Sequence, residues 1–181
     1  THPPNAAIDD PRAASLFARA VVEVIRQRSE TVVPFDLLHV HDWAGGIVPY
    51  LLRRCTEPLL SRMPVVLTIH DLANQRLFPR SVLKLLGLGE EHFRPEAIEF
   101  YGHVSFLKAG VMTANAVTTV SPTYALEALT VEGGEKYDGV LATRKDRLTG
   151  IVNGIDYAVY NPMTDPAIIA RYDAEDSANK G

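Results

Sequence analysis

A chain of 181 residues, 46% hydrophobic and 22% charged, carries enough apolar material for one α/β domain with a real core and is short for two. Its formal net charge of -4, with Arg and Lys scattered along the chain, offers no electrostatic footprint for nucleic acid or an anionic membrane. The single cysteine, Cys55, excludes an internal disulfide, and no apolar run approaches the roughly 18 residues of a membrane span, so a soluble, intracellular protein is expected.

The opening stretch THPPNAAIDDPRA lacks the pattern of a signal peptide. Asp9-Asp10-Pro11 places a capping aspartate before a proline, and Leu16, Phe17, Ala20, Val21, Val24 and Ile25 follow at helical spacing. One amphipathic helix ending near Arg28 is predicted. A strand is expected from Asp36 to Val40 within PFDLLHVHDWAGG, stopping abruptly at His41-Asp42-Trp43. Gly45-Gly46, with Ile47, Val48, Tyr50, Leu51 and Leu52, then reads as the start of a helix to about Arg54. A strand feeding a helix through a polar turn is half of a βαβ unit.

Pro58 and Pro64 bracket a short connection before Val65 to Ile69, a β-branched run without polar alternation that predicts a strand buried on both faces. It ends at His70-Asp71. Leu72 to Glu99, broken by Pro79, Gly87, Gly89 and Pro95, reads as a loop-rich insertion. A tightly packed helix is expected over Phe106 to Ala114 and a third strand over Ala116 to Val120. Ser121 as N-cap with Pro122 opens a helix over Thr123 to Leu129. Gly133-Gly134 marks a loop, Asp138 to Arg144 a short helix, and Leu148 to Val152 a fourth strand ending at Asn153-Gly154. The polar segment before Asn179-Lys180-Gly181 reads as helical, and a start at Thr1 without methionine suggests a piece of a longer chain.

Four strands thus end in polar residues, at His41/Asp42, His70/Asp71, Ser121 and Asn153. In a parallel sheet such ends share one edge, where ligands bind. The reading is an α/β, Rossmann-like, doubly wound sheet with a polar ligand edge.

His39 and His41 alternate along a strand and share a face, which invites a metal reading with Asp42. A dinuclear H-x-H-x-D-H site needs Asp and His where Trp43 and Ala44 stand, so no metal is expected and His39 reads as a buried, hydrogen-bonded histidine. Asp42 and Trp43 suit a sugar, the carboxylate accepting from hydroxyls and the indole offering an apolar face to a pyranose. Equally, Asp42 caps the following helix and Trp43 belongs to the core. His70 is structural or catalytic, and Asn153-Gly154 is a hairpin turn or a loop holding an amide near a ligand. Ser121 has no base and orienting acid at recognisable spacing, which leaves it as a helix cap. No P-loop or G-x-G-x-x-G fingerprint occurs.

The stretches HVHDWAGGIVPYLL, VVLTIHDLANQRLFP, EFYGHVSFLKAGVMTANAVTTVSPTYALE, YDGVLATRKDRLTGIVNGIDYAVYNPMTDP and ARYDAED resemble, in that order, the bacterial glycogen synthases and plant starch synthases. The resemblance covers nearly the whole chain from about Phe17 onward. It implies a retaining glucosyltransferase of the two-domain GT-B fold (glycosyltransferase family 5), moving glucose from ADP-glucose to the non-reducing end of an α-1,4-glucan with no cofactor. Residues 1–181 would form part of the N-terminal, acceptor-side domain. The family's K-x-G-G segment would lie upstream, and its phosphate-binding Arg/Lys pair and a glutamate in a C-terminal domain downstream.

By the same resemblance Asp42 would hold sugar hydroxyls and Trp43 would lie beside the acceptor. His70 would contact the donor glucose, with its backbone carbonyl near the anomeric centre, and Asn153 would hold the donor sugar. Asp71 and Ser121 would line the cleft. Ala44 stands where the family usually has histidine, Asp71 where it has asparagine, and Asn74 and Arg76 where tyrosine and glycine are common. The implied setting is a bacterial cytoplasm, or a plastid for a plant enzyme. The rival readings are a non-catalytic glucan-binding or regulatory module on the same fold, and a GT-B transferase using UDP-glucose or sucrose.

Overall fold

A computed structural model describes residues 10–29 and 34–176. Asp9 and residues 179–181 lie outside the described residues.

Helix α1 (Pro11–Ser29) opens as expected, with Pro11 in its first turn and Asp10 Oδ1 accepting from the Arg12 N–H at 2.9 Å. Its buried stripe is Ala14, Ser15, Ala18, Val22 and Ile25, whereas Leu16, Phe17 and Val24 of the expected face are exposed. The alanines let α1 lie close, so the helix turns its small face inward. Strand β1 (Leu38–His41) runs straight into α2 (Asp42–Leu52), with both glycines inside the helix, and α3 (Pro58–Ser61) precedes β2 (Val65–Ile69). After the insertion come α5 (Phe106–Thr113), β6 (Ala116–Thr119), α6 (Pro122–Glu127), α7 (Asp138–Ala142) and β7 (Leu148–Gly150).

The main sheet has the order β1-β2-β6-β7, parallel throughout. Its register pairs His41 with Thr68, Ile69 with Thr119 and Thr119 with Gly150, which aligns the carboxyl ends on one edge. Val40, Val65, Leu67, Ile69 and Val117 form the buried face. Helices α2 and α5 lie on it at a separation only glycine permits. A Cβ on Gly45 would stand 2.8 Å from the Val40 Cβ, and one on Gly46 2.5 Å from the Phe106 carbonyl oxygen.

On the opposite face His39 and His41 are exposed, and Val66, Thr68, Ala116 and Thr118 are half-buried. Strand β2 therefore alternates in burial and is not enclosed on both sides by the described residues, contrary to its apolar pattern. The parallel α/β sheet with flanking helices is as expected, whereas winding on both faces is not seen among the described residues.

The insertion is more regular than its composition suggests. It holds β3 (Leu77–Phe78), α4 (Val82–Leu86), a 3-10 turn at Glu90–His92 and β4 (Glu99–Phe100). Strand β5 (His103–Ser105) follows, and the three strands form a small antiparallel sheet in the order β3-β5-β4. Tyr101 and Gly102, both with positive φ (49° and 79°), make the two-residue turn between β4 and β5. Phe78 packs at a tilt against both Trp43 (centroids 5.7 Å) and Phe106 (4.5 Å), joining this sheet to α2 and α5. Lys108, nearly buried, donates to the carbonyls of Pro95 (2.5 Å) and Glu99 (2.7 Å) and ties the insertion to α5.

Val152 onward forms a separate unit. Its described residues hold no helix or strand, and the helical reading of its polar end is not met there. Asp156, Asn161, Asp165 and Asp173 each turn a side-chain oxygen onto the backbone N–H two residues on, at 2.8–3.0 Å. These Asx turns satisfy the amides locally and compete with a helix.

Candidate functional site

Period-two alternation places His39 and His41 of β1, Thr68 of β2 and Thr118 of β6 on the open face of the sheet. The His39 and His41 rings lie 4.3 Å apart, His39 Nε2 meets Thr68 Oγ1 at 2.7 Å, and Thr68 Oγ1 meets Thr118 Oγ1 at 2.7 Å. His39 is hydrogen-bonded as expected but exposed instead of buried.

Asp42 is the hinge between β1 and α2. Its φ of 50° is left-handed, a conformation aspartate tolerates better than most side chains. That twist turns the carboxylate away from its own helix, where it makes no cap, and across to the neighbouring strand end. Oδ1 accepts from the His70 N–H at 2.8 Å. The ring of His70 returns to β1, its Nε2 lying 3.0 Å from His41 Nδ1. Burial, and then the positive charge that His39 and His70 would carry, hold the His41 imidazole below its ordinary pKa, with Asp42 opposing.

Beyond His70 the chain is pinned by a second relay. Ser121 caps α6, its Oγ accepting from the Tyr124 N–H at 2.9 Å, and the Tyr124 hydroxyl accepts from the Leu72 N–H at 2.9 Å. Burial pushes the Tyr124 phenol up. Asp71 is exposed, with Oδ1 accepting from the Ala73 N–H at 2.8 Å, and Gln75 Nε2 donates to its carbonyl. A Cβ on Gly150 would lie 2.2 Å from the Ser121 carbonyl oxygen, so β7 and the start of α6 touch.

The sheet therefore gathers Asp42, His70 and Asp71 at adjacent strand ends, with Ser121 at the next one. Of the two readings open for Trp43, core and sugar platform, its burial fits the core. It is 7% exposed and packed on Phe78, because the helix that begins at Asp42 rotates residue 43 into the core. Asn153 is exposed and belongs to the second unit. Sequence reasoning missed the contacts of His41 and Tyr124. The His41 link was foreshadowed by histidines at two strand ends. Among the described residues no group of three or more His, Cys, Asp or Glu is placed to hold a metal ion, and no helix is long and apolar enough to cross a membrane.

A family model described as the starch synthase catalytic domain matches residues 2–143. The chain belongs to the glycogen and starch synthase family. Curated glycogen synthases from Desulforudis audaxviator and Bacillus cereus (strain ATCC 14579) are 45% and 47% identical to it over 169 and 170 residues, each match covering 92% of this chain. It spans 33% and 35% of their lengths, about a third of each relative. Among solved structures, the catalytic domain of starch synthase IV from Arabidopsis thaliana, bound to ADP and acarbose, superposes with a TM-score of 0.77 at 34% identity. That match covers 95% of this chain and 35% of the plant one. The parallel α/β sheet is thus part of a GT-B glycosyltransferase fold.

Proposed function

We propose that this chain supplies the acceptor-side part of the N-terminal domain of a retaining glucosyltransferase, which moves glucose from ADP-glucose to the non-reducing end of an α-1,4-glucan. The observation that carries this reading is the Asp42 carboxylate locked to the His70 N–H at 2.8 Å on the carboxyl edge of a parallel sheet, in a chain of this family. A plant neighbour bound to ADP and acarbose supports nucleotide and saccharide ligands for the same fold.

In this reading Asp42 uses one carboxylate oxygen to fix His70 and the other to accept from sugar hydroxyls. The His70 ring meets the donor glucose and its backbone carbonyl faces the anomeric centre. Departure of ADP builds positive charge on the anomeric carbon, which that carbonyl dipole stabilises, and negative charge on the leaving phosphate. Holding the acceptor hydroxyl on the face that ADP leaves retains configuration without a protein nucleophile. The phosphate charge is met by Arg and Lys of a second domain. Asp71, a carboxylate, accepts from hydroxyls without donating. Ser121 contributes through α6 and Tyr124, and Trp43 by packing α2 against the insertion.

A non-catalytic glucan-binding module is the second reading. Ala44 favours it, because it supplies no polar atom to the groove of about 220 Å³ that it lines with His39 and His41. The test is transfer of glucose from ADP-glucose to a maltooligosaccharide by the full-length protein, with Asp42→Ala beside it. The transferase reading expects transfer with an α-linked product, a drop of about 100-fold or more in Asp42→Ala, and glucan binding retained. Glucan binding without transfer in the unaltered protein establishes the second reading instead.

A further inference from the structure

The dipeptide His41-Asp42 grips His70 at two points. Asp42 Oδ1 takes its main-chain N–H at 2.8 Å, and His41 Nδ1 meets its ring Nε2 at 3.0 Å. We infer that His41 is a positioning residue: it accepts the Nε2–H of His70, fixes the tautomer and rotation of that ring, and leaves Nδ1 of His70 as an acceptor for a sugar hydroxyl. The second half of this inference rests on the reading of His70 as a donor-sugar contact.

A bond between two imidazole nitrogens needs one N–H and one bare nitrogen. Of the two possible arrangements, the one chosen puts both rings in the Nε2–H form, which an isolated histidine side chain prefers. The reverse demands the less favourable Nδ1–H form of both. The chosen arrangement also requires His41 to be neutral, since a protonated His41 carries a hydrogen on Nδ1 and turns the contact into a clash of two donors. Its surroundings favour neutrality: burial, then the His39 ring 4.3 Å away and His70 itself, outweigh the carboxylate of Asp42. Among the described residues no protein group engages Nδ1 of His70, so the clamp fixes the main chain and one ring edge and leaves the other edge for ligand.

The experiment uses the 181-residue chain labelled with 15N in histidine. Long-range 1H–15N spectra near neutral pH are expected to show His70 as the Nε2–H tautomer, with an N–N coupling across the bond to His41 Nδ1. His41→Leu is expected to remove the coupling and let His70 populate both tautomers. His41→Asn, whose side-chain oxygen takes the place of Nδ1 as acceptor, is expected to restore the single tautomer. In the full-length enzyme His41→Leu lowers kcat by about 10-fold or more with little change in KM for the glucan, and His41→Asn recovers most of the loss. An Nδ1–H tautomer in the unaltered chain, or a His70 spectrum indifferent to His41→Leu, overturns the inference. Absence of transfer from the unaltered full-length enzyme defeats the transferase reading, whereas the spectra decide the tautomer by themselves.

Discussion

Gly46→Ala separates helix propensity from close packing. Inside a helix, alanine is worth about 1 kcal/mol over glycine, so propensity alone forecasts a more stable protein. At this position the new Cβ would lie 2.5 Å from the Phe106 oxygen, 2.9 Å from its carbonyl carbon and 3.1 Å from the Leu107 Cα. All three are main-chain atoms at the start of α5, so no side chain can swing aside. Overpacking of this kind costs about 1–3 kcal/mol or more, and with main chain as the obstacle the upper end applies, leaving a net loss of about 2 kcal/mol. For a domain of this length that lowers Tm by about 4–8 °C. Gly139→Ala in α7, where a Cβ meets nothing within 4 Å, is the control and should gain about 0.5–1 kcal/mol. Gly110, whose Cβ would reach the Gly46 oxygen at 2.7 Å, should couple to Gly46, the double alanine variant losing less than the sum because one helix separation relieves both. Urea unfolding of the four variants measures this. A Gly46→Ala protein at or above the parent's stability would refute the account of the α2–α5 contact.

Tyr137 is buried with its hydroxyl bonded to Ser105 Oγ at 2.9 Å, and burial pushes its phenol up to about 12. The folded chain therefore keeps a proton that the unfolded chain releases near pH 10. Stability should hold below that pH and fall by about 2–3 kcal/mol as pH rises through 12, a slope that Tyr137→Phe flattens in alkaline urea titrations. Lys108→Met strips the donor from the Pro95 and Glu99 carbonyls and should cost about 2 kcal/mol, with proteolysis rising first in the insertion. At the acid side, burial holds His41 and His92 below the ordinary histidine pKa. Unfolded chains then bind the extra protons, so stability present above about pH 6.5 should erode as pH falls, which denaturation at stepped pH will show as a drifting midpoint.

The elements with strong local signals were legible: the Asp10-Pro11 opening of α1, the apolar runs of β2 and β6, and the Ser121-Pro122 cap of α6. So was the alignment of the polar ends of β1, β2 and β6, because a parallel sheet forces it, whereas β7 ends at Gly150 and not at Val152 as expected. The insertion was not, since strands as short as Leu77–Phe78 and Glu99–Phe100 lack a periodic signature and are held by packing on Phe106 and Tyr137. Trp43 takes the core position, one of the two readings its sequence offered, because helix α2 starts three residues before Gly45, at Asp42 with its positive φ, and turns residue 43 inward. The apolar run of β2 read as buried on both faces because Val66 and Thr68 suit a strand whether or not a second layer covers them.

The central claim is that His70, held by Asp42, touches the glucose being transferred. The most direct measurement is the rate of glucose transfer from ADP-glucose to maltooligosaccharide by full-length protein bearing His70→Ala. The account predicts a fall in kcat of about 100-fold or more with the fold and glucan affinity unchanged. Turnover within about 3-fold of the parent, well under 1 kcal/mol of transition-state stabilisation, would contradict it.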